Sequence, residues 1–287
     1  MTAHQLPFGV LLRRWRERRR MTQADLAYAA DSSTRHLSCL ETGKAQPSRE
    51  MIARLAEYLE IPLRDQNSLL LAAGFAPAFQ ERSLAALAAA KTAIDAILQA
   101  HKPYPAFAVD RHWDVVMSNS ALPQLYEGCS ADLVRPPVNA VRLTLHPAGM
   151  APRIVNYGAW RAHLLSVLRQ QIDARGDAVL QGLFAEVSAY PTPPESEPAE
   201  SFGAAERLAT PLRVATRLGV MSFLGTVTVF GTPNDVTLSE LALEMLFPAD
   251  EATARIAHEM VEGGRHESRT GGAVGDRPLR VAASWST

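Results

Sequence analysis

Six arginines crowd one short stretch of the chain: Arg13, Arg14, Arg16, Arg18, Arg19 and Arg20. Such a cationic group suits phosphate oxygens, although an arginine cluster is more usually a solvated helix face. The residues just beyond the cluster narrow the choice. Residues 22–28 and 33–41 read as two short helices joined by a tight connection, and the second offers Ser, Thr, Arg and Cys outward. A bracing helix, a sharp turn and a second helix with short polar side chains are what reading base edges in the major groove requires.

Catalytic chemistry finds less support. The sequence holds no Gly-x-Ser-x-Gly elbow, no phosphate-cradling glycine loop and no His-Glu-x-x-His. The eight histidines are isolated. His146 before Pro147, and His163 on an expected helix, read as hydrogen-bonded structural residues rather than bases or ligands; His112 falls in a turn. Cys39 and Cys129 are too few for a disulfide framework or a thiolate zinc site. The expectation is no enzyme, no catalytic residue and no metal, in a reducing, cytoplasmic compartment.

The elements that must position these groups follow from composition and periodicity. The 287 residues, 47% hydrophobic and 21% charged, allow one large or two modest domains with a real core. Net charge is −1, yet residues 1–65 hold 11 basic against 8 acidic side chains while the remainder is acidic. No apolar run reaches the ~18 residues of a membrane span, and no export signal is visible at the start.

Up to residue 75 the pattern is five short helices. Their boundaries are marked by Thr22, Asp31-Ser32-Ser33, Gly43, Pro47-Ser48, Pro62 and Gly74. Residues 83–101, rich in Ala and Leu without Gly or Pro, predict one connecting helix. Beyond it the pattern turns to a hairpin over 107–117, helices over 156–176 and 177–187, and strands over 212–217 and 220–230. Leu241, Leu243, Met245 and Phe247 alternate in a last strand before a closing helix to about residue 261. A Pro- and Glu-rich loop is expected at 191–199, and a disordered tail from Gly263. The domains are therefore 1–76, a connecting helix 77–102, 103–262 and the tail 263–287.

The segment Thr22-Gln23-Ala24-Asp25-Leu26-Ala27, with Leu37-Ser38-Cys39-Leu40-Glu41-Thr42-Gly43-Lys44 and then Pro47-Ser48 after it, resembles the XRE/lambda-repressor-like helix-turn-helix family over residues 8–75. Its arginine run is richer than usual. The resemblance implies phosphate contacts at Gln23, Arg16 and Lys44, with Ser33, Thr34, Arg35, Ser38 and Cys39 on the exposed face of the recognition helix. Arg35 is the first choice for a base, because arginine bridges guanine O6 and N7. Glu41 is expected to be an internal ion-pair partner.

Further on, Val109-Asp110-Arg111-His112-Trp113-Asp114-Val115-Val116-Met117-Ser118-Asn119-Ser120-Ala121 resembles the start of the MmyB-like ligand-binding domain, a PAS-like fold. Asn139-Ala140-Val141-Arg142, Pro152-Arg153, the helix from Trp160 to Arg169 and Phe247-Pro248-Ala249-Asp250 agree in order. One departure is Pro191-Thr192-Pro193-Pro194-Glu195-Ser196-Glu197, where the family carries an aromatic segment with a Trp. The fold implied is all-α helix-turn-helix followed by an α+β domain, an antiparallel sheet with covering helices.

That resemblance implies a small apolar, fatty-acid-like ligand held between sheet and helices. The expected wall is Phe107, Trp113, Val115, Met117, Leu122, Trp160, Leu164, Phe223 and Val227. Asn119, Asn139, Arg142 and Arg169 are the expected polar anchors, the arginines for a carboxylate. Simple core packing, a helix cap at Asn119 and a domain salt bridge at Arg142 are the competing roles.

The function implied is a ligand-responsive transcription regulator, a homodimer on a palindromic duplex with no resident cofactor. Two other readings stay open. One is a haem- or flavin-binding sensor using His112, His146, His163 or Cys129. The other is a ligand-independent DNA-binding dimer that recruits a protein partner.

Overall fold

The computed structural model describes residues 6–194, 210–231 and 233–270, with side chains through residue 260. The chain divides into two units. The first comprises Met1–Ala88 together with Gln170–Ala178 and Phe230–Glu240; the second comprises Ala89–Arg169, Val179–Val229 and Leu241–Thr287.

Five helices open the first unit: α1 (Phe8–Arg18), α2 (Gln23–Ala29), α3 (Thr34–Glu41), α4 (Arg49–Tyr58) and α5 (Leu63–Ala72). Their starts are chemically defined. Thr22 accepts from the Asp25 amide while Asp25 accepts from the Thr22 amide, and Ser33 and Ser48 accept from His36 and Met51. Each such cap contributes about 1 kcal/mol. Leu12, Trp15, Leu26, Leu37, Leu40, Ile52, Leu55 and Leu59 pack into one buried core.

The turn joining α2 to α3 places Asp31 at φ 49°, in the left-handed region that aspartate tolerates better than bulkier residues. Gly9 on α1 meets a tighter constraint. A Cβ there would lie 2.4 Å from the Glu41 carbonyl oxygen and 2.5 Å from that of Leu40. The missing side chain lets α1 lie directly against the end of α3.

Ser83 caps a short 3-10 turn at Leu84–Ala86, and α6 (Ala88–Ala100) comes next. The continuous helix expected over 83–101 is thus shorter, starting at Ala88. In the second unit a five-stranded sheet has the order β2-β1-β5-β4-β3, every pairing antiparallel. Its strands are β1 (Ala106–Val109), β2 (Val115–Ser118), β3 (Leu212–Thr216), β4 (Gly219–Val229) and β5 (Ala242–Pro248). Between β2 and β3 run α7 (Ala140–Leu145), α8 (Tyr157–Arg175) and α9 (Ala178–Ser188), with short 3-10 turns at Leu122–Tyr126 and Ala151–Arg153.

The β1–β2 hairpin is fixed by Asp110, whose Oδ1 accepts from the amides of His112 and Asp114. A short α10 (Val236–Ser239) interrupts the β4–β5 connection, and α11 (Glu251–Thr270) closes the described chain. The fold is the expected one: a helix-turn-helix unit and a PAS-like sheet with covering helices. The tail is corrected, because helix continues past Gly263 to Thr270. Residues 271–287 and the part of the 191–199 loop beyond Pro194 lie outside the described residues.

Candidate functional site

The surface of α3 carries the first candidate site. Ser33, Thr34 and Arg35 are exposed, Ser38 and Cys39 half-buried, and Lys44 exposed just beyond the helix. The Ser33 hydroxyl also accepts the His36 amide at 3.1 Å, so one oxygen caps the helix at the edge of the reading face. Leu37, Leu40 and Glu41 turn inward.

Arg16 needs correction. Its Nε and Nη2 donate to the two carboxylate oxygens of Glu41 at 2.6 and 2.9 Å, and Nη1 donates to the Met21 carbonyl at 2.9 Å. A buried guanidinium so engaged braces α1 against α3 and is unavailable to a phosphate. Gln23 adds Nε2 to Glu41 Oε2 at 2.8 Å while staying half-buried at the start of α2. Burial alone would raise the Glu41 carboxyl, but the hydrogen bonds from Arg16 and Gln23 outweigh it and hold the group below its ordinary range. Glu41 is the internal ion-pair partner expected of it.

The second candidate site is a cavity of about 360 Å³ inside the second unit, between the sheet and α7, α8 and the 3-10 turn at Leu122–Tyr126. Phe107, Trp113, Leu122, Trp160, Leu164 and Val227 of the expected wall border it. The other expected residues lie elsewhere. Met117 pairs with Ala108, one residue out of register with Phe107, and so faces the opposite side of the sheet. Val115 sits past the bulge between Ala108 and Val109, outside the wall. Phe223 is wholly buried in the sheet opposite Leu212 and Pro248.

None of the four expected polar anchors borders the cavity. Asn119 donates to the carbonyls of Leu98 and Tyr104 and accepts from the amides of Ala106 and Ala121, which ties α6 to the hairpin. Asn139 caps α7 and holds His112 and Asp114. Arg142 makes a two-point pair with Glu186, at 2.7 and 2.8 Å. Arg169 lies over the Phe184 ring, 5.1 Å from its centroid. Long cationic side chains on amphipathic helices found partners outside the cavity.

Sequence reasoning missed Gly225 and Glu244 in the wall, and named His163 only as a structural residue or a haem ligand. Gly225 leaves a gap on β4, facing Leu246 of β5. His163 borders the cavity, and burial lowers its pKa. Glu244 also borders it, and burial pushes its carboxyl up to about 7. The signal for Glu244 was a lone acid in an otherwise apolar strand, Ala242-Leu243-Glu244-Met245-Leu246. Trp160 adds an indole Nε1 buried without a hydrogen-bond acceptor among the described residues.

A helix-turn-helix with an exposed polar reading helix, joined in one chain to a sheet-and-helix domain enclosing an apolar cavity, defines a DNA-binding regulator with a ligand-binding domain. The family described as MmyB-like transcription regulator ligand binding domain matches residues 90–260, more than half of the chain, and the chain belongs to that family. A helix-turn-helix domain family matches residues 7–69. Among solved structures, the crystal structure of the clp gene regulator ClgR from Corynebacterium glutamicum is 28% identical. That match covers 33% of this chain and 90% of that one, with a TM-score of 0.21. No curated protein matches the chain. Among the described residues no helix is long and apolar enough to cross a membrane, and no group of His, Cys, Asp and Glu is placed to hold a metal ion.

Proposed function

We propose that a small apolar molecule in the second unit controls sequence-specific DNA binding by the first. The observation that carries this reading is the cavity itself, bordered mostly by aliphatic and aromatic side chains in a chain that also carries a DNA-reading helix. Apolar enclosure with few polar groups is how small-molecule sites are built. Arg35, exposed on α3, is the base reader, and Gln23 and Lys44 flank it as phosphate contacts. Two copies of α3 related by a two-fold axis would read half-sites about 34 Å apart on a palindrome.

A ligand shifts DNA affinity only if it binds two arrangements of the protein unequally. Chain continuity supplies a route in the β4–β5 connection. Its flanking strands carry Val227 and Glu244 of the cavity wall, while residues 230–240 belong to the first unit. There Glu240 takes two hydrogen bonds from Arg64 at 2.7 and 2.8 Å, and Asp235 takes one from Arg82 at 2.9 Å. A second route is α6.

The test is to extract the purified protein, identify any stoichiometric small molecule by mass spectrometry, and measure operator affinity with and without it. A bound molecule that changes operator affinity supports the reading. A cavity that stays empty, beside DNA binding that no extract alters, overturns ligand control. Loss of operator preference in Arg35→Ala, with non-specific binding retained, supports Arg35 as the reader; unchanged preference removes it.

A further inference from the structure

Above about pH 7 the cavity wall presents a negative charge and, among the described residues, no positive one. Besides Glu244, its titratable side chains are Tyr126 and His163. Burial raises the Tyr126 hydroxyl and lowers the His163 ring, so both stand neutral at physiological pH. The arginines that could have received a carboxylate lie on Glu186 and on Phe184 instead.

Glu244 holds its place through the sheet. On the central strand β5 it is in register with Phe107 of β1 on one side and Val227 of β4 on the other, and all three border the cavity. One row across the sheet therefore presents a ring, a carboxylate and a branched aliphatic group to the same space. Half-buried there and with no partner among the described residues, the carboxylate loses solvation without compensation, a destabilisation that an occupant of opposite charge would relieve.

Resting on the reading of this cavity as a ligand site, we propose that its occupant is an apolar molecule with a cationic amine head, and that Glu244 is the group that selects it. An ammonium on Glu244 restores neutrality and supplies charge-assisted hydrogen bonds. A hydroxyl leaves the half-buried charge uncompensated, and a carboxylate adds a second like charge.

Three ten-carbon probes that share a tail and differ in head group test this: decylamine, decanol and decanoate. Each is titrated calorimetrically at pH 8 into the full-length protein and into Glu244→Gln and Gly225→Leu. The Gly225 backbone leaves ordinary van der Waals space for a Cβ, so a leucine there starts without a backbone clash and projects its bulk from the cavity wall. The expected result is that decylamine binds at least tenfold tighter than decanol, that decanoate is weakest, and that Glu244→Gln removes the preference for the amine. All binding should fall in Gly225→Leu.

Decanoate binding as tightly as the amine, or an unchanged ranking in Glu244→Gln, overturns the selection while leaving the cavity as the site, provided Gly225→Leu still abolishes binding. If Gly225→Leu leaves binding intact, or no probe binds at all, the cavity reading fails and the proposal with it.

Discussion

Arg16 and Glu41 close a two-point hydrogen-bonded ion pair between α1 and α3, with side chains 9% and 2% exposed. The bracing helix and the reading helix are thereby locked at the point where DNA recognition sets the tightest demand on angle. Removing one partner leaves the other charge buried and alone, which costs about 3–5 kcal/mol. Arg16→Ala is therefore expected to lower the thermal unfolding midpoint sharply. The double variant Arg16→Met with Glu41→Leu should recover much of that loss, because no charge is left stranded. If Arg16 instead touched phosphate, a folded variant would show a shallower salt dependence of DNA affinity; the expected slope is unchanged. The pair also carries an acid sensitivity. The folded Glu41 carboxyl lies below its ordinary range, so its contribution is present at neutral pH and is lost as pH falls through the folded value.

Gly9 serves the same junction by sterics. A methyl group at this position meets two backbone carbonyl oxygens, which have no rotamer to escape into. Gly9→Ala would gain helix propensity in an ordinary site. Here it is expected to destabilise the protein by about 1–3 kcal/mol, the usual range for overpacking. It should also weaken specific DNA binding by tilting α3. Chemical denaturation measures the first effect and an operator titration the second.

Arg142 and Glu186 provide a pH test in the second unit. The paired guanidinium, aided by the Tyr190 hydroxyl, holds the Glu186 carboxyl down at about 2. An acid depressed in the folded state stabilises it above the unfolded pKa and loses that effect as pH falls. The stability gap between wild type and Arg142→Met should be widest near neutrality. It should then close between about 4.5 and about 2. Both side chains are more than a third exposed, so solvent screening keeps the gap modest. A gap that stays constant over that range would mean Arg142 acts through packing alone.

The helical unit was legible because its signals are local. Thr22, Ser33 and Ser48 each cap the next helix, and the apolar spacing of Leu12, Leu26, Leu37 and Leu55 puts the core on one face of each helix. The strands were legible too, but not which face mattered. In β5 the alternation of Leu241, Leu243, Met245 and Phe247 suggests that odd positions form the buried face. Leu243 and Leu246 are both buried, however, on opposite faces, because α11 packs against β4 and β5 while the cavity occupies the other side. A strand covered on both faces defeats a period-two reading, and that is why Glu244 and Leu246 escaped notice. The anchors failed for another reason. Whether Arg142 meets a ligand or Glu186, 44 residues away, is decided by tertiary packing that no spacing encodes.

Glu244 makes the stability of the ligand-free protein depend on pH. An acid whose folded pKa is raised binds a proton in the folded state that the unfolded chain has already lost. Stability contributed by that proton is present below the unfolded pKa and declines as pH rises, here between about 4.5 and about 7. Glu244→Gln has no such proton to lose. It should match wild type near pH 4 and exceed it at pH 8, by at most about 3 kcal/mol and less where water reaches the carboxylate. His163 on the same wall acts in the opposite sense, since burial lowers its pKa and stability falls as it gains a proton at low pH. That contribution is common to both proteins and cancels in the difference between them, as does that of Tyr126. Differential scanning calorimetry of the two proteins across pH 4–8 is therefore read as a difference curve. A curve that rises through the window shows a carboxylate kept at the expense of stability, as binding groups commonly are. A flat curve would mean that the charge is already compensated without a ligand, which removes the drive to recruit a cationic head group.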